Sequence, residues 1–151
     1  MRRTRSPGAG NARELKVMTV LAEEGWLCAS RRHIGGAGDI LAICTERWEA
    51  TPYADAGEQM QAMLIEVKST TRNPWNDFGP VDRQALVETA EKHGAVPWLY
   101  WWPPRGKLLR IPAEDFPPNR KAEVETLPSL EEARAMHARA IIERSDTTDP
   151  S

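Results

Sequence analysis

Ala62-Met63-Leu64-Ile65-Glu66-Val67-Lys68 is the stretch on which the fold turns. It is an apolar run of strand length, and strand alternation puts Met63, Ile65 and Val67 on one face and Leu64, Glu66 and Lys68 on the other. A carboxylate and an ammonium two residues apart on an apolar strand need a polar partner or an ion, because unpaired buried charge is expensive. A second apolar run, Asp39 to Thr45 (DILAICT), follows the glycine-rich loop 30–38 (SRRHIGGAG) and opens on an acid. The 26 residues between Asp39 and Glu66 read as strand, connection and strand, which folds the two carboxylates toward each other as a hairpin. The connection itself, residues 46–61, is polar and carries Pro52 and Gly57, so it reads as a long loop.

Outward from these strands the pattern alternates. Residues 11–24 show Leu15, Met18 and Leu21/Ala22 at helical spacing, with Asn11 as N-cap and Gly25 as the stop. Residues 26–29 are a short strand. Pro80 to His93 reads as a helix with Ala85, Leu86 and Ala90 inside and Gly94 after it. Val96–Trp102 and Lys107–Ile111 flank Pro103-Pro104-Arg105-Gly106 as a hairpin. Ser129 with Glu132 makes a capping box for a last helix through Arg144. The order is α, three strands, α, two strands, α, which predicts an α/β fold with a central mixed sheet flanked by helices. Residues 1–10 read as a flexible basic arm, 11–116 as the core, 117–144 as an extension with a helix, and 145–151 as a disordered tail.

Composition bounds the class. A chain of 151 residues with 40% hydrophobic residues is one domain, able to hide about 68–70% of its unfolded surface. No run reaches the roughly 18 apolar residues of a membrane span, and the arginines of the first residues have no apolar segment behind them, as a secretory leader would require. Two cysteines, Cys28 and Cys44, do not make a disulfide scaffold, so a cytoplasmic location with buried thiols is expected. His33, His93 and His137 share no zinc-ligand spacing with them. No glycine-rich loop leads into Lys-Ser/Thr, which excludes a P-loop and a nucleotide cofactor.

Charge is uneven along the chain. The net charge is −2, yet residues 1–32 carry seven basic against three acidic side chains. Residues 111–151 carry five against nine. Arg13 and Lys16 on the first helix, with Ser30, Arg31, Arg32 and His33 in the loop beside Asp39, form a surface for phosphates. Arg72 and Trp75 lie in the loop after the charged strand. There Trp75 and Phe78 are either wedges for a DNA branch point or residues that fold back on the core or pack in a dimer. Trp98, Tyr100, Trp101 and Trp102 read as core and interface aromatics.

Asp39 and Glu66 are two hard oxygen ligands of the kind Mg²⁺ takes while keeping other positions for water and phosphate. Glu14, at the edge of the first helix's buried stripe, is either a boundary glutamate or a third carboxylate. Glu14 on an opening helix, Asp39 after a Gly/Ser/Arg loop, Glu66-Val67-Lys68 and Gln84 on the next helix resemble the PD-(D/E)xK nucleases, and more narrowly the archaeal-type Holliday junction resolvases. The resemblance runs from Asn11 to Phe116, with Gly38 where proline stands in the motif. It implies a restriction-endonuclease-like core and a metal site of Asp39, Glu66, the Val67 carbonyl and Glu14, holding Mg²⁺, with Mn²⁺ able to substitute. It further implies a catalytic set of Glu14, Asp39, Glu66, Lys68 and Gln84, and a homodimer cutting branched or duplex DNA to a 5′-phosphate and a 3′-hydroxyl. Related nucleases acting on flaps, single strands or a restriction target, and an idle DNA-binding dimer module, are the alternatives.

Overall fold

The structure is a computed structural model that describes residues 7–31, 34–71, 74, 77–115 and 130–147. Along the chain run α1 (Pro7–Glu23), β1 (Leu27–Ser30), β2 (Ile40–Trp48), β3 (Gly57–Lys68), α2 (Pro80–Lys92), β4 (Val96–Trp101), β5 (Leu109–Pro112) and α3 (Leu130–Thr147). One five-stranded sheet lies in the order β1-β2-β3-β4-β5. Three pairings are antiparallel, and β3–β4 is parallel through the α2 crossover. The fold is α/β with a mixed sheet flanked by helices, as the order of elements predicts.

Each face of the sheet has its own core. On one, Val17 and Leu21 of α1 pack with Ile40, Ala42, Met63, Ile65, Trp98 and Tyr100. On the other, Leu86 and Ala90 of α2 pack with Leu64, Leu99, Ile111 and Phe78. The alternation expected along residues 62–68 therefore holds. Both helices stop at glycine. Gly25 (φ 94°) and Gly94 (φ 71°) adopt the left-handed conformation. Behind them Trp26 N–H reaches Leu21 O at 2.9 Å, and Ala95 N–H reaches Ala90 O at 2.9 Å. These bonds satisfy carbonyls that the helix ends would otherwise leave open.

Several expectations need correction. Helix α1 begins at Pro7, so the backbone of residues 7–10, assigned to the arm, is helical. Its buried stripe is Glu14, Val17 and Leu21, whereas Leu15 is 62% exposed and Ala22 is also exposed. In α2 the buried set is Arg83, Leu86 and Ala90, and Ala85 faces outward. The polar connection 46–61 is half strand: the β2–β3 ladder continues through Glu46↔Gln59 to Trp48↔Gly57, and residues 49–56 turn between them. Its polarity reflects a ribbon that leaves the sheet and is solvated. Trp48 lies over Gly57, where a Cβ would come within 2.6 Å of the indole, and its Nε1–H bonds Asp55 O at 3.0 Å. Arg47 pairs with Glu58 at 3.0 Å.

The cysteines are free and half-buried rather than fully buried, and burial pushes the Cys28 thiol up. Trp98, Tyr100 and Trp101 are covered by the chain's own helices and loops. Helix α3 runs through Thr147, past Arg144, and its backbone includes residues 145–147 of the expected tail. It packs along β5, where His137 Nδ1 accepts the Arg110 N–H at 2.6 Å. The Ser129 cap lies outside the described residues. Among the described residues no helix is long and apolar enough to cross a membrane.

Candidate active site

Asp39 sits one residue beyond the Ile40↔Ile65 pair. Its N–H bonds Ile65 O at 2.8 Å, and its carboxylate Oδ2 accepts the Val67 N–H at 2.8 Å. Those two bonds lock the carboxylate across the backbone of residues 65–67. On the other side its carbonyl accepts the Arg31 N–H at 2.7 Å, which ties it to the end of β1 next to Ser30. Gly38 makes this entry possible: its φ is +86°, and a Cβ there would stand 2.6 Å from Leu64 Cδ1. A proline, fixed near −65°, cannot occupy that backbone, which accounts for the departure from the motif.

Glu66 and Lys68 leave β3 on the α2 face. Lys68 Nζ lies 3.0 Å from Glu66 Oε1, with the two side chains only 23% and 17% exposed. Below the ammonium is the Phe78 ring, 5.9 Å to its centroid. Phe78 is 1% exposed and packs in the α2-side core, so of its readings the core holds. The Glu66 carboxyl is pushed above its ordinary range, first by burial and next by the Asp39 charge; Lys68 opposes the shift and Asp82 adds to it. Two carboxylates thus crowd one point that a single lysine partly neutralises. Such a place gains from a further cation.

Asp82 is the residue that sequence reasoning missed. It stands in the first turn of α2, where an acid is favoured by the helix dipole. Its position after Gly79-Pro80, at a helix start following the charged strand, was the available signal. Glu14 is 8% exposed on α1, which covers the opposite face of the sheet from Glu66 and Lys68. Among the described residues no three His, Cys, Asp or Glu side chains gather closely enough to hold a metal, so Glu14 does not complete a trio with Asp39 and Glu66. Gln84 turns along its own helix and donates to Glu88 Oε1 at 2.8 Å. The structure therefore brings together Asp39, Glu66, Lys68 and the Val67 backbone, whereas Glu14 lies on α1 and the Gln84 side chain bonds within α2.

Of the phosphate-facing set, Lys16 and Ser30 are exposed and Arg13 is half-buried, its guanidinium 5.6 Å from the centroid of the Trp102 ring. Arg31 folds over its own loop toward Gly35 O at 3.4 Å. Arg32, His33, Arg72 and Trp75 lie outside the described residues, as do Arg2, Arg3 and Arg5.

An ion of the Mg²⁺ class fits the donors present. Asp39 and Glu66 are hard oxygen ligands, and one or two carboxylates are the usual protein share of such a site.

No protein-family model matches this sequence, and no curated protein matches it. Among solved structures the chain is similar to Archaeoglobus fulgidus Hjc, a Holliday junction resolvase from an archaeal hyperthermophile, with a TM-score of 0.52 and 15% identity. The match covers 83% of this chain and 95% of that one. The chain thus shares its fold with that resolvase structure, and the expected α/β core with a mixed sheet flanked by helices is present.

Proposed function

We propose that this chain is a Mg²⁺-dependent, structure-selective DNA endonuclease that nicks four-way junctions. The observation that carries this reading is the pairing of Asp39 with Glu66 and Lys68 at the end of β3, within a fold shared with a junction resolvase. Asp39 and Glu66 would hold the ion, with the Val67 carbonyl beside them. When bound, Mg²⁺ supplies an acidified water and neutralises charge on the scissile phosphate.

The chain's own groups do the rest. Asp39, fixed by the Val67 N–H, keeps its carboxylate oriented before substrate arrives. Lys68, held by Glu66 over an apolar ring, presents its ammonium where charge develops on a phosphate oxygen, in surroundings that strengthen the interaction. Ser30 and the Arg31 loop flank Asp39 and receive the backbone of the cleaved strand. Lys16 and Arg13 on α1 extend that contact, and Glu14 supports the helix that carries them. A homodimer suits a four-way junction, whose two equivalent strands call for two equivalent sites.

The test is incubation of the purified protein with end-labelled four-way junction, flap and linear duplex in Mg²⁺. Paired, symmetric nicks in the junction, lost on chelation, are the expected result. Preferential cutting of the flap or duplex assigns the chain to a different nuclease activity, and no cutting with tight junction binding assigns it to an idle DNA-binding module.

A further inference from the structure

The sheet has a notch at the end remote from Lys68. β3 extends from Gly57 to Lys68, yet β4 pairs only with Met63 to Lys68. Among the described residues nothing pairs with the β4-facing edge of residues 57–61. The strand's alternation fixes which groups point there. Ile65 O bonds Asp39 N–H on the β2 side, and Lys68 O bonds Trp102 N–H on the β4 side. Even-numbered residues therefore turn their N–H and C=O toward β4, so Glu58 and Met60 present both groups to the notch and Ala62 its N–H, while the Ala62 carbonyl receives Val96 N–H where β4 begins.

The notch opens into a cavity of about 630 Å³ lined by Trp26, Met63, Trp98 and Val96, with Glu24 and Glu46 as its charged lining. Met60 and Val96, on its rim, are 67% and 45% exposed. Glu24 is held by Arg110, with Nη1 2.7 Å from Oε2, and Glu46 accepts a bond from Gln61. The ribbon beyond adds Glu49, Asp55 and Glu58 against the single cation Arg47. An open strand edge, an apolar recess beside it and an acidic surround define one kind of occupant.

We infer that residues 57–62 of β3 form a docking edge for an extended, basic-and-apolar peptide segment of a partner protein, which adds to the sheet in line with β4. Main-chain bonds to Glu58, Met60 and Ala62 give affinity, and alternate side chains give selectivity. An apolar one enters the recess of Trp26 and Trp98, and a cationic one meets Glu46. Open edges of this kind are otherwise blunted by proline, lysine or a covering loop; here Glu58 faces away, paired with Arg47.

The probe is acetyl-Lys-Thr-Val-Thr-Lys-Thr-amide, whose two lysines and valine share one face of the strand as the recess and Glu46 do, with the Glu-for-Lys peptide as control, titrated into the full-length protein and followed by backbone amide shifts. Expected are saturable shifts at Glu58, Met60 and Ala62 with the basic peptide and none with the acidic one. Met60→Pro removes only a notch-facing N–H and spares the β2–β3 ladder, so it weakens binding at least tenfold while the ladder amides of residues 44–48 keep their shifts. Glu46→Lys, an exposed change that leaves every ladder bond in place, reverses the preference between the two peptides. Equal response to both peptides, or binding indifferent to both variants, overturns the inference. So does a concentration-dependent dimer that Met60→Pro dissolves, since the occupant is then a second copy of this chain. DNA cleavage is no part of the readout, so the inference stands or falls apart from the nuclease reading.

Discussion

Asp39 combines two demands that pull against each other. Its Oδ2 serves the Val67 N–H, while its charge raises the pKa of Glu66 next to it. Asparagine keeps an oxygen for the first duty and drops the charge. Asp39→Asn should therefore fold normally and lose Mg²⁺-dependent nicking by about 100-fold or more, the scale of removing one preorganised electrostatic group. It should also alter the pH dependence of stability. A carboxyl whose folded pKa lies above its unfolded value contributes stability below the unfolded pKa and loses it as pH rises through the folded one. Glu66 is such a group without metal, so urea unfolding of the metal-free protein should lose stability from mildly acidic toward neutral pH. Asp39→Asn should flatten that loss, and an unchanged profile would mean the two carboxylates do not act on each other. Gly38 offers a plainer test. Gly38→Ala places a side chain in a left-handed conformation costing about 1–2 kcal/mol and against Leu64, so a lowered denaturation midpoint is expected. This residue-level chemistry was half legible in the sequence. Asp39, Glu66 and Lys68 stand out because charge interrupts apolar strands, whereas Asp82 does not, since an acid in a first helical turn has an ordinary reason to be there.

At the level of elements, periodicity carried the order of helices and strands but not their ends. The β2–β3 ribbon shows why. Beyond Cys44 and Gln61 neither face is buried, so the alternation that marks a strand fades although the ladder continues to Trp48↔Gly57. What keeps the ribbon formed is local: the Trp48 indole over Gly57 and its bond to Asp55 O. Trp48→Ala should loosen the ribbon alone. Amide exchange of residues 44–48 and 57–61 should quicken by about tenfold or more while the amides of Ile40 and Ile65 keep their protection, the signature of a local opening. A global loss of protection would instead make the ribbon part of the core. The stripe on α1 was misread for a related reason. Leu15 fits the apolar spacing as well as Val17 does, and only packing on the sheet shows that Glu14 takes the inner position and Leu15 the outer. Helix α3 tests the same logic at the other edge. His137 bonds the Arg110 N–H of β5, and His137→Ala leaves that donor open at a cost of about 1–3 kcal/mol, read as a drop in thermal midpoint.

Across the whole molecule, the two ends of β3 present different chemistry. At its C-terminal end, carboxylates and Lys68 gather beside the basic β1–β2 loop and α1; at its N-terminal end, the edge is open, apolar and acid-rimmed. This polarity lets a net charge of −2 stand beside the proposed DNA substrate, because the bulk charge does not describe the surface proposed to meet phosphates. It also yields a quantitative expectation for binding. Each phosphate neutralised by Lys or Arg adds about −0.9 to the slope of log affinity against log salt on duplex DNA. If Arg13 and Lys16 both contact phosphates, the Arg13→Ala/Lys16→Ala variant should bind four-way junctions more weakly and show a slope shallower by roughly 1.8. Its cleavage at saturating protein should stay close to normal, since both side chains stand on α1, Arg13 over Trp102, while Asp39 and Glu66 carry the proposed chemistry. A shallower slope with intact turnover puts α1 on the DNA. An unchanged slope leaves Arg13 to its place over Trp102 and Lys16 to solvent, and moves the phosphate contacts to the loop that leads into Asp39.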